Sequence, residues 1–135
     1  MNRSYLENLG IKIEDTPWGW NKDDDRQEQW KLSREIDGFD ERETWNLYYT
    51  IDLLMYERLC AYKEIAEKCI DLDFHKFDFN GETLTQRECI NRMIKGLEYE
   101  LLLDDFDERR NDENIKKSMD EVYKIYAICN RSLWW

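Results

Sequence analysis

The sequence predicts a mainly α fold: three principal helices, one of them long, in a small bundle. An irregular, aromatic-anchored N-terminal arm precedes them, and a short extended segment lies near residues 70–80. Three observations predict this. Apolar residues recur at helical spacing along three separate stretches. The 135 residues include one Pro and five Gly, too few for the turns of a β-sandwich. The chain is 41% hydrophobic and 14% aromatic, so its formal net charge of −11 marks the surface of a folded body rather than a disordered acidic chain. The length fits one helical domain, with residues 1–39 as the packed arm and 40–135 as the helical body.

In the arm, Tyr5, Leu6 and Leu9 share one side of a short helix that Gly10 ends. Ile11 and Ile13 alternate with Lys12 and Glu14, which reads as a short extended piece. Thr16-Pro17-Trp18-Gly19-Trp20 reads as a turn. Asp23-Asp24-Asp25 follows, and Trp30, Leu32, Ile36 and Phe39 supply apolar anchors. Exposing Trp18, Trp20 and Trp30 together would be costly, so the arm should pack on the body.

The body opens at Asp40-Glu41-Arg42-Glu43, an N-cap with an acid at the third helical position. A long helix is expected from about Glu41 to Ile70. Its apolar stripe is Leu47, Tyr48, Ile51, Leu54, Met55, Leu59, Tyr62, Ile65, Ala66 and Cys69. From Ile70 the period breaks. Ile70, Leu72 and Phe74, then Phe77 and Phe79, alternate as an extended crossing segment or a tiny hairpin, with Asn80-Gly81 as its turn.

Thr85-Gln86-Arg87-Glu88 is a capping box. It starts a second helix, from about Gln86 to Leu103, with Ile90, Met93, Ile94, Leu97 and Leu101 inward. Gly96 inside it costs about 1 kcal/mol against Ala, and close helix packing would account for it. Residues 104–113 form a charged linker. A third helix spans about Glu113 to Leu133, with Ile115, Met119, Val122, Ile125, Tyr126 and Cys129 inward. The terminal Trp134-Trp135 should tuck back onto the body.

No apolar run approaches the roughly 20 residues of a membrane span. The first residues lack an apolar signal core. The expected location is the cytoplasm, and in a reducing compartment the four cysteines read as small buried hydrophobes.

The chemistry-bearing motifs are sparse. The one His, His75, accompanies no nucleophile elbow, and neither a phosphate-cradling Gly loop nor a basic patch for nucleic acid is present. The chain is therefore expected to be no enzyme and to need no cofactor and no metal. Cys60, Cys69 and His75, closed by Cys89 or Cys129, are the alternative, a zinc site. Asp71, Asp73, Asp78, Asn80 and Glu82 imitate a calcium loop but lack the Gly its sharp turn needs. Asp52, beside Tyr48 and Met55, is the acid closest to the apolar stripe, where burial would raise its pKa unless a Tyr or Trp satisfies it.

The acidic clusters remain. Asp23, Asp24 and Asp25, with Asp104, Asp105, Asp107 and Glu108, lie between the amphipathic stretches and are the candidate partner-binding residues. Each cluster has a plain reading as solubilising charge. The sharper reading is mimicry of a nucleic-acid backbone, whose closely spaced charges proteins grip with Lys and Arg.

Gly38-Phe39-Asp40-Glu41, Thr44-Trp45-Asn46-Leu47, Met93-Ile94-Lys95-Gly96-Leu97-Glu98 and the closing Leu133-Trp134-Trp135 carry a resemblance. The chain resembles an uncharacterised family of small acidic helical proteins encoded by bacteriophages and prophages of Gram-positive bacteria. The likeness covers roughly residues 36–135 and departs at Tyr48, where the family pattern has an acid. It implies a phage origin. Small acidic phage proteins include inhibitors of host defence, anti-CRISPR proteins among them. The expectation is a non-enzymatic inhibitor in the host cytoplasm. It would bind a basic, nucleic-acid-handling defence protein, a CRISPR effector such as Cas9, and contact neither nucleic acid nor membrane. A phage assembly or scaffolding factor that self-associates through Trp134, Trp135 and the arm is the alternative.

Overall fold

In the computed structural model the described residues are 5–103 and 112–135. They are mainly helical, with one small antiparallel sheet. Helix α1 spans Tyr5–Asn8, and a 3-10 turn follows at Ile13–Asp15. Helices α2, α3 and α4 are Gln27–Asp37, Arg42–Trp45 and Leu47–Ala66. Strands β1 (Lys76–Phe79) and β2 (Glu82–Thr85) precede α5 (Gln86–Leu101). Helix α6 is Glu113–Cys129, extended by a 3-10 turn at Asn130–Ser132.

Local chemistry explains most boundaries. Gly10 ends α1 at φ +85°, where it and Ile11 donate to the carbonyls of Glu7 and Leu6. Asn80 and Gly81 both have positive φ and join β1 to β2 as a two-residue hairpin, with Phe79 opposite Glu82. The Thr85 hydroxyl caps α5 by accepting from the Glu88 N–H at 3.1 Å. The Glu88 carboxylate meets that hydroxyl, not the Thr85 N–H, so only half of the expected reciprocal box forms. Asp112 caps α6, accepting from the N–H groups of Asn114 and Ile115.

The core lies among α4, α5, α6 and the hairpin, with Leu53, Ile90, Met93, Leu97 and Ile125 at its centre. Helix α5 packs most extensively on α6. Gly96 makes that approach possible: a Cβ there would lie 2.5 Å from Val122 Cγ2. Tyr5, Leu6, Leu9, Ile11, Trp18 and Trp20 pack against this core from the N-terminal side.

Several expectations need correction. Residues 27–37 form a helix where only isolated anchors were expected, and it buries Trp30 alone, leaving Leu32 and Ile36 exposed. Ile13 enters a 3-10 turn instead of a strand-like piece and is exposed. The long helix is interrupted at Asn46, whose φ of −135° and ψ of 77° separate α3 from α4, and it ends at Ala66. Leu59 and Ala66 of the expected stripe are buried and Met55 and Tyr62 pack on the core, but its first turns are rotated: Tyr49, Leu53 and Tyr56 are buried, and Leu47, Tyr48 and Ile51 face outward. Trp134 and Trp135 do not tuck back. Leu133 packs on the core, the Trp134 carbonyl accepts from the Tyr62 hydroxyl, and Trp134 and Trp135 stay about 60% exposed. Among the described residues no helix is long and apolar enough to cross a membrane.

Candidate interaction surface

The acidic loop after Trp20 is organised by its middle carboxylate. Asn21 turns the chain with φ +54°, and its carbonyl accepts from the Asp24 N–H and from the Gln27 side chain. Asp24 then takes the Arg26 side chain in a fork, at 3.0 Å from both Nε and Nη2, and the Arg26 backbone N–H at 2.9 Å. These bonds to Arg26 lower the Asp24 carboxyl to about 2. Its neighbours Asp23 and Asp25 are exposed, and Asp25 also hydrogen-bonds Asp24. Glu14, Asn21, Lys22, Asp23 and Asp24 enclose a shallow hollow of about 480 Å³. Of the three expected carboxylates, Asp24 is thus tied to Arg26, while Asp23 and Asp25 are exposed to solvent. Asp104, Asp105, Asp107 and Glu108 lie outside the described residues.

A buried ionic and aromatic knot holds this loop. Arg42 donates to Asp40 from Nε at 3.0 Å and Nη2 at 2.9 Å, and to the Trp20 carbonyl from Nη1 at 2.8 Å. Its guanidinium also lies 4.4 Å from the Trp30 ring centroid, and Arg26 stands 4.8 Å from the same ring. Trp30 donates to Glu41, and Trp18 to Glu43. Glu43 also accepts from the Asp40 N–H while Asp40 accepts from the Arg42 N–H, the two-way cap expected at this position. Burial works to raise the Asp40 carboxyl, but the Arg42 bonds and charge outweigh it and hold it below the ordinary range. Trp20 stacks on Tyr49 of α4 at 6.2 Å. Sequence reasoning singled out the Trp residues but not Arg42. Its signal was an Arg two residues from an Asp within a Trp-rich stretch.

No family model, curated protein or solved structure matches this chain. What the surface can do rests on its own residues.

The other acids of the connecting segment are already engaged. Asp73 pairs with Arg87, Glu82 with Arg92, Asp78 accepts from the Thr83 hydroxyl, and Asp71 accepts from the Asp73 N–H. The calcium-like spacing is therefore used for ion pairs and a turn. The zinc alternative also fails geometrically: among the described residues no three His, Cys, Asp or Glu side chains stand together as metal ligands. Cys69 is exposed, Cys60 is half-buried, and His75 meets the Phe74 ring edge-on. Cys89 and Cys129 are both buried and share a hydrogen bond between α5 and α6, which holds the Cys89 thiol low and, with burial, pushes Cys129 far up.

One acid constellation lies inside the core. Asp52 accepts a hydrogen bond from the Tyr123 hydroxyl and hydrogen-bonds the Glu100 side chain. Asp52 and Glu100 are each 2% exposed, so this carboxyl pair joins α4, α5 and α6 out of reach of solvent. Two carboxyl oxygens in contact need a proton between them. Burial raises the Asp52 pKa, against the lowering effect of the Glu100 and Tyr123 bonds. The two alternatives expected for Asp52 do not exclude each other: Tyr123 bonds it, yet burial still leaves it raised.

Proposed function

We propose that this protein is a non-enzymatic, acidic phage accessory protein that binds and inhibits a basic, nucleic-acid-handling host defence protein. It is an anti-CRISPR-type inhibitor, acting on a CRISPR effector nuclease such as Cas9 by occupying its nucleic-acid-binding surface. In this reading the N-terminal 39 residues are a packed arm on a small helical bundle. The arm presents Asp23 and Asp25, and Asp104, Asp105, Asp107 and Glu108 are the further candidate contacts. The observation that carries the reading is the pinned loop. Asp24 is consumed by Arg26, while Asp23 and Asp25 flank it exposed on a backbone that needs little further ordering. Charges held in place lose less entropy on binding than charges on a free tail. The chain's net charge of −11 favours a basic partner and disfavours nucleic acid and anionic membrane.

The test is a pull-down from host lysate followed by affinity measurement at several ionic strengths. Binding should weaken steeply between low salt and about 0.5 M, where screening extends only a few ångströms. Asp23→Asn with Asp25→Asn should weaken it about fivefold or more, mainly through slower association. Affinity indifferent to both salt and these substitutions would sink the reading.

A second reading has its own observation. Trp134 and Trp135 are exposed side by side, a combination that surfaces seldom leave uncovered. It makes the protein a self-associating phage assembly or scaffolding factor. Light scattering over a concentration series separates the two, because a monomer at every concentration removes this one.

A further inference from the structure

Helix α4 carries two apolar stripes. Tyr49, Leu53 and Tyr56 enter the core. Leu47, Ile51 and Leu54, at helical spacing of four and three, do not. They instead line an open groove of about 720 Å³, whose opposite wall includes Leu6, Ile13 and Phe39. Ile13, Phe39, Leu47 and Ile51 are 60, 50, 55 and 44% exposed, so four large apolar side chains gather around one depression. Scattered exposed apolar residues are ordinary, whereas a contiguous set is a binding surface.

The polar groups of the groove specify what fits. The Thr50 hydroxyl in its wall is buried with no hydrogen-bond partner among the described residues. Glu57 is half-buried in the wall, makes no ion pair among the described residues, and has its carboxyl pushed up by burial despite the neighbouring Arg58. Glu7 stands exposed at the rim. Glu43 is already committed to Trp18 and Asp40. Glu7 and Glu57 therefore remain against the single cation Arg58. A second copy of this chain would bring further like charge to the groove, and each copy carries −11.

We infer that the groove between α1, Phe39 and α4 is a docking site for a basic amphipathic helix of a partner protein. Its apolar side chains would lie between Ile13, Phe39, Leu47 and Ile51, and a Lys or Arg would reach Glu57. This is the helix-in-groove mode of recognition. It does not rest on the acidic-loop reading, since Asp23 and Asp25 take no part.

The experiment uses the full chain and three synthetic peptides: an amphipathic Leu/Lys helix, the same composition with its Leu residues scattered around the helix, and an amphipathic Leu/Glu helix. Trp18 lines the groove, so tryptophan fluorescence and calorimetry both report occupancy. The amphipathic Leu/Lys peptide should bind one to one, at least about tenfold tighter than either control. Ile51→Asp and, separately, Leu47→Ser should each lower its affinity about tenfold, the loss typical of an apolar anchor. Both sites are exposed, so circular dichroism should be unchanged. Glu57→Gln should lower affinity about two- to fivefold. Asp23→Asn with Asp25→Asn should leave it unchanged, which separates failure here from failure of the acidic-loop reading. Failure of the Leu/Lys helix to bind, equal binding of the scattered peptide, or indifference to Ile51→Asp and Leu47→Ser overturns the inference. So does a concentration-dependent dimer that Ile51→Asp abolishes, because a second copy would then be the occupant.

Discussion

Arg42 grips Asp40 with a two-pronged ion pair, and the side chains are 1% and 0% exposed. An ion pair sealed from water is weak evidence of net stability, because desolvation offsets its attraction. Breaking it is another matter. Arg42→Ala takes the fork from the buried Asp40 carboxylate, leaving it Arg34 at 3.4 Å and the backbone N–H, and takes the guanidinium donor from the Trp20 carbonyl. It should cost about 3–5 kcal/mol in urea unfolding. Arg42→Lys keeps the charge but lacks the fork, and should recover only part of that loss.

Asp40 and Asp52 should respond to pH with opposite signs. Asp40 is held below its unfolded value, so its contribution is present above the unfolded pKa and is lost as pH falls through the folded one. Asp52 is raised, so between its unfolded and folded values the native state holds a proton that the unfolded chain has released. Stability therefore falls as pH rises through that window. Asp52→Asn should be more stable than wild type near neutral pH, and the advantage should vanish below about pH 4, where the unfolded carboxyl is protonated too. Paired urea titrations across this range check it, and a constant difference would show that Asp52 does not titrate.

Gly96→Ala sets two effects against each other. Helix propensity favours Ala by about 1 kcal/mol. The new Cβ, however, would lie 2.5 Å from Val122 Cγ2. Overpacking should win, with a net loss of about 1–2 kcal/mol. Adding Val122→Ala should relieve the clash, so a double-mutant cycle should show a favourable coupling of about 1 kcal/mol or more.

The four thiols should label in a fixed order. Cys69 is exposed and should react first, and Cys60, half-buried with a thiol raised by burial, should follow. Cys89 and Cys129 should react only as the protein unfolds, at a rate set by opening of the α5–α6 contact. Mass spectrometry of timed alkylation with a thiol reagent distinguishes these classes. Early modification of Cys129 would contradict the packing.

The features legible in sequence were those decided by neighbours along the chain. Gly10, Asn80-Gly81, the Thr85 cap and the Asp40–Glu43 cap each follow from residues within one turn. Helices α5 and α6 were legible because their polar and apolar sides differ, except that Tyr126, expected inward, is exposed. Helix α4 was not phased, because Leu47, Ile51 and Leu54 are as apolar as Tyr49, Leu53 and Tyr56. Periodicity cannot choose between two apolar sides: Leu47, Ile51 and Leu54 of the stripe read as core line the groove, while Leu59 and Ala66 farther along it are buried as expected. Helix α2 escaped notice because a single buried ring, Trp30, ties it down. In the acidic loop, charge alone did not separate Asp24 from its neighbours; the Arg26 fork does.

Helix α3 is one turn long, yet its neighbourhood receives the Trp18 indole, the Trp20 carbonyl, the Trp30 indole and Arg34. It works as a latch for the chain before it. If that turn opens, two indoles and one backbone carbonyl lose these partners in one event, and α2 loses the surface that buries its only anchored ring. Amide protons in α2 and α3 should then exchange with solvent as one cooperative unit, where the secondary structure shows two separate helices.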